Sequence, residues 1–147
     1  MRLAINEAKK AYEIGEIPVG AVIVYEGKVI ASSHNCTEGN ALATSHAELL
    51  AIEMASKSLG RWRLTGCTMY VTLEPCAMCA GALVASRIDR LVFGAYDPKG
   101  GACGSLMNIC QDERLNHRLD VIGGVLQDEC SLLLKAFFKE LRHRKAR

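Results

Sequence analysis

No run of this sequence stays apolar for the roughly 20 residues that a membrane-spanning helix needs. The charged-then-apolar opening segment of a secretory signal is missing too. Repeats, low-complexity stretches and linkers long enough to divide the chain are absent. The 147 residues are therefore expected to form one domain, 1–147, large enough to bury a core without disulfides. An excess of charge is also lacking. Eighteen basic side chains against 16 acidic ones leave a formal net charge of +2, which by itself assigns no partner.

Cysteine, by contrast, is plentiful. There are seven, an odd number, irregularly spaced apart from Cys76 and Cys79. That argues against a disulfide framework and for thiols kept reduced, so the expected location is the cytoplasm. Cys36, Cys67, Cys103, Cys110 and Cys130 read as small apolar fillers. With 50% hydrophobic and 23% charged residues, the composition is that of a soluble globular protein.

Ile5, Ala8 and Tyr12 recur at helical spacing and predict a helix over 3–14, ended by Gly15 and Pro18. The β-branched run Val19 to Tyr25 suits a strand covered on both faces, with Lys28 to Ser32 returning as its hairpin partner. Residues 34–45 lack periodicity and read as a loop. A second helix starts near His46, with Thr44 or Ser45 as its cap. Thr68 to Leu73 reads as a strand. Pro75 then suits the first turn of a helix over Cys76 to Ala85. Leu91 to Ala95 and Leu119 to Ile122 complete the strands, and Pro98, Gly100, Gly101 and Gly104 between them mark a mobile loop. The stripe Leu126, Cys130, Leu133, Leu134, Phe137, Phe138 and Leu141 predicts a last helix packed on the core. Alternating helices and strands make an α/β layered domain with one mixed sheet of about five strands.

His46-Ala47-Glu48 and Pro75-Cys76-Ala77-Met78-Cys79 carry the chemistry. Either motif alone is weak, since C-x-x-C also serves redox sites and structural zinc. Together they offer one nitrogen and two sulfur ligands, which leaves a fourth tetrahedral position open, as in catalytic zinc sites. Cys76 and Cys79, three apart at a helix start, share one face, and the positive end of the helix dipole favours thiolate. Glu48 is free to move protons beside the metal. Residues two apart do not share a face in mid-helix. His46 and Glu48 must therefore sit in an opening turn, with two helix N-termini converging on one ion. His34 and His117 are either loop hydrogen-bonders or substrate contacts. Lys135, Lys139, Arg142, Arg144, Lys145 and Arg147 form a basic end that either meets phosphates or is a solvated, fraying terminus.

An H-x-E element with a downstream P-C-x-x-C element is the known signature of zinc nucleobase deaminases, and here the sequence resembles the cytidine deaminase superfamily. Within it the match is to the tRNA-specific adenosine deaminases, through Ile17-Pro18-Val19-Gly20-Ala21-Val22, His46-Ala47-Glu48, the segment from Tyr70 to Ala82, Ser86-Arg87-Ile88, Val92-Phe93-Gly94-Ala95, Gly104-Ser105-Leu106-Met107 and Leu115-Asn116-His117-Arg118. The resemblance implies a three-layer α/β/α fold and one zinc ion per subunit, held by His46, Cys76 and Cys79. It implies hydrolytic deamination of adenosine to inosine at the wobble position of a tRNA anticodon, by zinc-activated water with Glu48 as proton shuttle. Asn35 and Ala47 would contact or orient the base. Asp97, Lys99, Asn116, His117, Phe138 and Arg142 would line the RNA, and the implied partners are a tRNA anticodon stem-loop and a second copy of the chain. A deaminase of guanine, cytosine or deoxycytidylate would use the same metal and glutamate. A non-enzymatic RNA-binding module with structural zinc would have no use for Glu48.

Overall fold

The computed structural model describes residues 1–145; Arg147, the last member of the basic end, lies outside the described residues. In chain order the elements are α1 (Arg2–Glu13), β1 (Gly20–Tyr25), β2 (Lys28–His34), α2 (Thr37–Asn40), α3 (Ala47–Leu59), β3 (Cys67–Leu73), α4 (Ala77–Ala85), β4 (Arg90–Ala95), a 3-10 turn (Ile109–Gln111), β5 (Asp120–Ile122) and α5 (Gln127–Lys145). The strands form one five-stranded sheet in the order β2-β1-β3-β4-β5. β1 runs antiparallel to both β2 and β3, whereas β3, β4 and β5 are mutually parallel. The mixed sheet expected from the sequence is present, between two layers of helices.

One layer is α3 and α4. It packs against the odd-numbered face of the central strands, where Ala21, Ile23, Met69, Val71, Leu91 and Phe93 meet Ala51, Ala55, Ala80 and Leu83 in the main core. The alanines let α3 lie close to the strands. The other layer is α1 and α5, joined around Ile5, Ala95 and Cys130. Gly20 is required here. A Cβ at that position would overlap the backbone of Ala4 and Ala8, so the absence of a side chain is what lets α1 rest on β1.

Several expectations need correction. The 34–45 segment is not wholly irregular, because Thr37–Asn40 closes a short helical turn. The N-cap of α3 is His46 itself, not Thr44 or Ser45; the Ser45 hydroxyl is engaged by the Asn40 amide at 3.1 Å. Cys76 is the N-cap of α4, so Pro75 precedes the helix rather than opening it. β4 and β5 are joined by residues 96–119, which hold only the 3-10 turn and no α-helix. The apolar stripe of α5 is only half-covered. Cys130 and Phe137 are buried, but Leu133, Leu134 and Leu141 are partly open and Phe138 is exposed. Among the described residues no helix is long and apolar enough to cross a membrane.

Candidate active site

β3 and β4 end together, with Leu73 paired to Ala95. Where parallel strands end, the chain turns outward and leaves a crevice at the carboxyl edge of the sheet. β1 and β2 contribute to the same edge, since Gly20 pairs with His34 and the Asn35 N–H donates to the Val19 carbonyl at 3.0 Å. Val19, Asn35, Leu73 and Glu74 therefore arrive side by side.

Two helices begin at this edge. His46 is extended at φ −76° and ψ 149°, and Cys76 at φ −74° and ψ 176°. An N-cap residue in extended conformation projects its side chain off the helix end instead of along the barrel. This resolves the spacing problem of His46 and Glu48, for the first is a cap and the second lies in the opening turn. The Sγ of Cys76 is 3.7 Å from Nδ1 of His46, and the Sγ of Cys79 is 3.5 Å from the same atom. Zinc bonds of about 2.3 Å to sulfur and about 2.0–2.1 Å to nitrogen, in tetrahedral geometry, put such donors about 3.6 Å apart. All three donors lie within 4.8 Å of one another. The residues present fit a zinc ion, with Nδ1 as the histidine ligand.

Electrostatics at the site favour this chemistry. A hydrogen bond from the Cys79 thiol, opposed by burial and supported by the N–H groups of Cys79 and Met78, pulls Cys76 down to about 5. Cys79 is raised because its thiol proton is held in a hydrogen bond to Cys76 and because it is buried. Binding a cation at this point displaces that proton. Glu48 is buried, at 4% exposure. Burial drives its carboxyl upward, while the charge of His46 and the Cys79 thiol act in the opposite direction. A carboxyl raised in this way is suited both to accept and to return a proton.

His46, Ala47, Glu48, Cys76, Asn35, Val19, Ile17, Leu73, Glu74 and Asp97 enclose a cavity of about 140 Å³. It opens beside a cleft of about 650 Å³ that shares Ile17, Leu73 and Asp97 and adds Tyr96, Lys99, Leu134, Lys135, Phe138, Leu141, Arg142 and Lys145. The structure thus gathers Asn35, Ala47, Asp97, Lys99, Phe138 and Arg142 at one place. Asn116 and His117 are not brought there. Nε2 of His117 donates to the Ile88 carbonyl at 2.7 Å, before the start of β4. The start of β4 is itself about 17 Å along the strand from its carboxyl end. His34 is likewise engaged, its Nδ1 2.8 Å from Glu7.

Glu74 went unnoticed in the sequence. Its carboxylate is buried and accepts the N–H groups of Asp97, Cys103 and Ser105, each at 3.0 Å, and the Ser105 hydroxyl at 2.5 Å. Gly101 lies so close that a Cβ there would overlap the carboxyl group. The glycine-rich segment expected to be mobile is therefore clasped to the residue two before Cys76. The one available signal was an acid wedged between an apolar strand and Pro-Cys. All seven cysteines are unpaired. Cys67, Cys103, Cys110 and Cys130 are buried, as expected of fillers.

Fold and donor set together define a metal-dependent deaminase. Residues 1–142 match the family described as MafB19-like deaminase. The chain is 57% identical over 145 residues to a tRNA-specific adenosine deaminase of Bacillus subtilis (strain 168), spanning 99% of this chain and 90% of that one. It is 48% identical over 143 residues to a tRNA-specific adenosine deaminase of Aquifex aeolicus (strain VF5), covering 97% and 94%. A solved structure from work on A-to-I editing by tRNA deaminases at the wobble position superposes with a TM-score of 0.88. It shares 46% identity and covers 91% of this chain and 97% of its own. The chain belongs to the deaminase superfamily and, within it, to the tRNA-specific adenosine deaminases.

Proposed function

We propose that this protein converts adenosine to inosine at the wobble position of a tRNA anticodon by hydrolytic deamination, with one zinc ion per subunit on His46, Cys76 and Cys79. The observation that carries the chemistry is a three-donor cluster at two helix starts with the buried Glu48 beside it. Zinc in such a site supplies Lewis acidity that brings the pKa of water to about 7. Glu48 would take a proton from the attacking water as its oxygen bonds to C6, deliver it to N1 of the adenine ring, and then pass a proton to the amine so that the C6–N bond breaks and ammonia leaves. Asn35 holds the purine edge and the Ala47 backbone fixes its orientation. The 140 Å³ cavity is well below the roughly 300–1,000 Å³ of sites for drug-sized ligands. It takes one base, and the neighbouring nucleotides lie in the larger cleft.

Asp97, Lys99, Phe138 and Arg142 line that cleft, with an apolar floor for stacking and a basic rim for phosphates. An anticodon loop is single-stranded, so turning a base outward costs less than extracting it from a duplex. Asn116 and His117, placed at the far end of β4, reach RNA from a neighbouring subunit. A homodimer has apolar surface available to cover, including Trp62 at 59%, Leu106 at 57% and Met107 at 48% exposure; sedimentation of a single 16 kDa species would remove the dimer. The unpaired thiols accord with work in the cytoplasm.

The test is incubation with an arginine-type anticodon stem-loop bearing wobble adenosine, scored for inosine, beside free guanine, cytosine and deoxycytidylate. Inosine in the stem-loop alone is expected. Turnover of the small molecules only would overturn the assignment.

A further inference from the structure

Glu16 lies in the loop between α1 and β1, behind the wall of the small cavity. At 2% exposure it is as buried as Glu74. No cation faces it within hydrogen-bonding distance among the described residues. Its carboxylate instead accepts the Gly39 N–H at 2.7 Å and the Glu38 N–H at 3.3 Å, and faces Nδ2 of Asn35 at 3.5 Å. The hydroxyl of Thr37 sits 2.9 Å from Oδ1 of the same asparagine.

These two contacts differ in what they decide. A threonine hydroxyl both donates and accepts, so it satisfies either end of a carboxamide. A carboxylate only accepts. Were Asn35 flipped, its oxygen would face the Glu16 oxygens inside a buried pocket, where unpaired polar groups and like charge are most unfavourable. The carboxylate is thus the sole partner here that distinguishes Nδ2 from Oδ1. A purine edge is a fixed pattern of donors and acceptors, and an asparagine that reads it works in one flip and fails in the other.

We infer that Glu16 is a positioning residue that locks the Asn35 carboxamide in a single flip and thereby sets how the purine is held. It touches no substrate itself. The inference rests on the proposed role of Asn35 in holding the base. Glu16 also ties the turn of α2 to the same carboxylate, so the loop over the cavity and the reading group move together.

The test is a double-mutant cycle on zinc-loaded enzyme with the stem-loop substrate, using Glu16→Gln and Asn35→Ala. Glu16→Gln keeps the shape and offers an N–H that accommodates the flipped amide. It is expected to lower kcat/KM about tenfold, chiefly through KM, with zinc content unchanged. In the Asn35→Ala background the same change is expected to cost less than twofold. Equal losses in both backgrounds would mean that Glu16 merely scaffolds the loop and would overturn the inference. A second readout needs no turnover. In 15N-labelled protein the Asn35 side-chain amide, identified by its loss in Asn35→Asp, should give two well-separated proton signals that exchange slowly. Glu16→Gln should bring them together and speed exchange more than tenfold. Should Glu16→Gln not fold, the wild-type signals decide, and a degenerate, freely exchanging pair refutes the lock. Failure of wild-type turnover would sink the substrate assignment alone, since the amide signals report the grip of Glu16 directly.

Discussion

Replacing Glu74 with glutamine isolates the clasp between the metal-site strand and the loop over the cleft. The change keeps the side chain's shape and removes one acceptor. In the wild type, Oε1 accepts from the Asp97 N–H and the Ser105 hydroxyl, while Oε2 accepts from the N–H groups of Cys103 and Ser105. A glutamine amide placed at the Oε2 position would confront two backbone donors. Placed at Oε1 it confronts one, because the Ser105 hydroxyl can turn and accept. The better orientation therefore strands the Asp97 N–H, a loss of about 1–3 kcal/mol. The remaining bonds also lose their charge assistance. The sum is about 2–4 kcal/mol, and at roughly 2–4 °C per kcal/mol for a domain of this size the midpoint should fall about 5–15 °C. Circular dichroism melts of zinc-loaded and chelator-treated protein would measure it. The pH dependence adds a sign. Burial alone would raise the Glu74 carboxyl, but the bonds from Ser105, Asp97 and Cys103 outweigh burial and hold it below its ordinary value of 4.5. The stability it lends is complete above that value and is lost as pH falls through the lower folded one. The gap between wild type and Glu74→Gln must therefore narrow in acid. A midpoint within 1 °C of wild type at pH 7, or a gap that widens in acid, would refute the reasoning.

Other perturbations test other parts. Glu48→Ala should keep fold and zinc and reduce inosine formation by at least a hundredfold, the lower range for a lost general acid–base group; an unchanged rate would remove Glu48 from the mechanism, and lost zinc would make it a ligand. Gly20→Ala should destabilise by about 3 kcal/mol and lower the melting midpoint by roughly 10 °C, because the new methyl meets the Ala4 and Ala8 backbone; a wild-type melt would show that α1 yields freely. Neutralising Lys135, Arg142 and Lys145, which line the cleft, should flatten the slope of log K against log salt for stem-loop binding by about 2. Arg144, 4.0 Å from Glu140 and away from the cleft, is the control whose loss should change little.

Periodicity reported the sheet and the long helices well, because burial imposes period 2 on strands and 3.6 on helices. The metal donors were legible for a different reason: ligand chemistry restricts them to His and Cys at close spacing. What stayed hidden depends on contacts between distant segments. Glu74 and Glu16 are single acids whose partners are mostly backbone N–H groups, which leave no mark on sequence, with one side chain each, Ser105 and Asn35, from a distant segment. His46 as its own helix cap was concealed because Thr44 and Ser45 are better cap formers, yet Ser45 is drawn to Asn40. Phe138 belongs to the apolar stripe of α5 by spacing, but it stands beside Leu73 and Tyr96 at the carboxyl ends of β3 and β4, where it lines the cleft instead of the core.

The sheet also divides the protein into two covalent territories. Residues 46–79 hold the reactive apparatus, and residues 96–145 furnish most of the outer wall against which a polymer would lie. The two meet through the Glu74 clasp, through the Ala102 N–H that donates to the Pro75 carbonyl at 2.9 Å, and through the packing of the 3-10 turn on α4. Descendants of such a chain can rewrite the second territory, and with it the molecules they accept, while the first passes on unaltered, as long as those fastenings are kept.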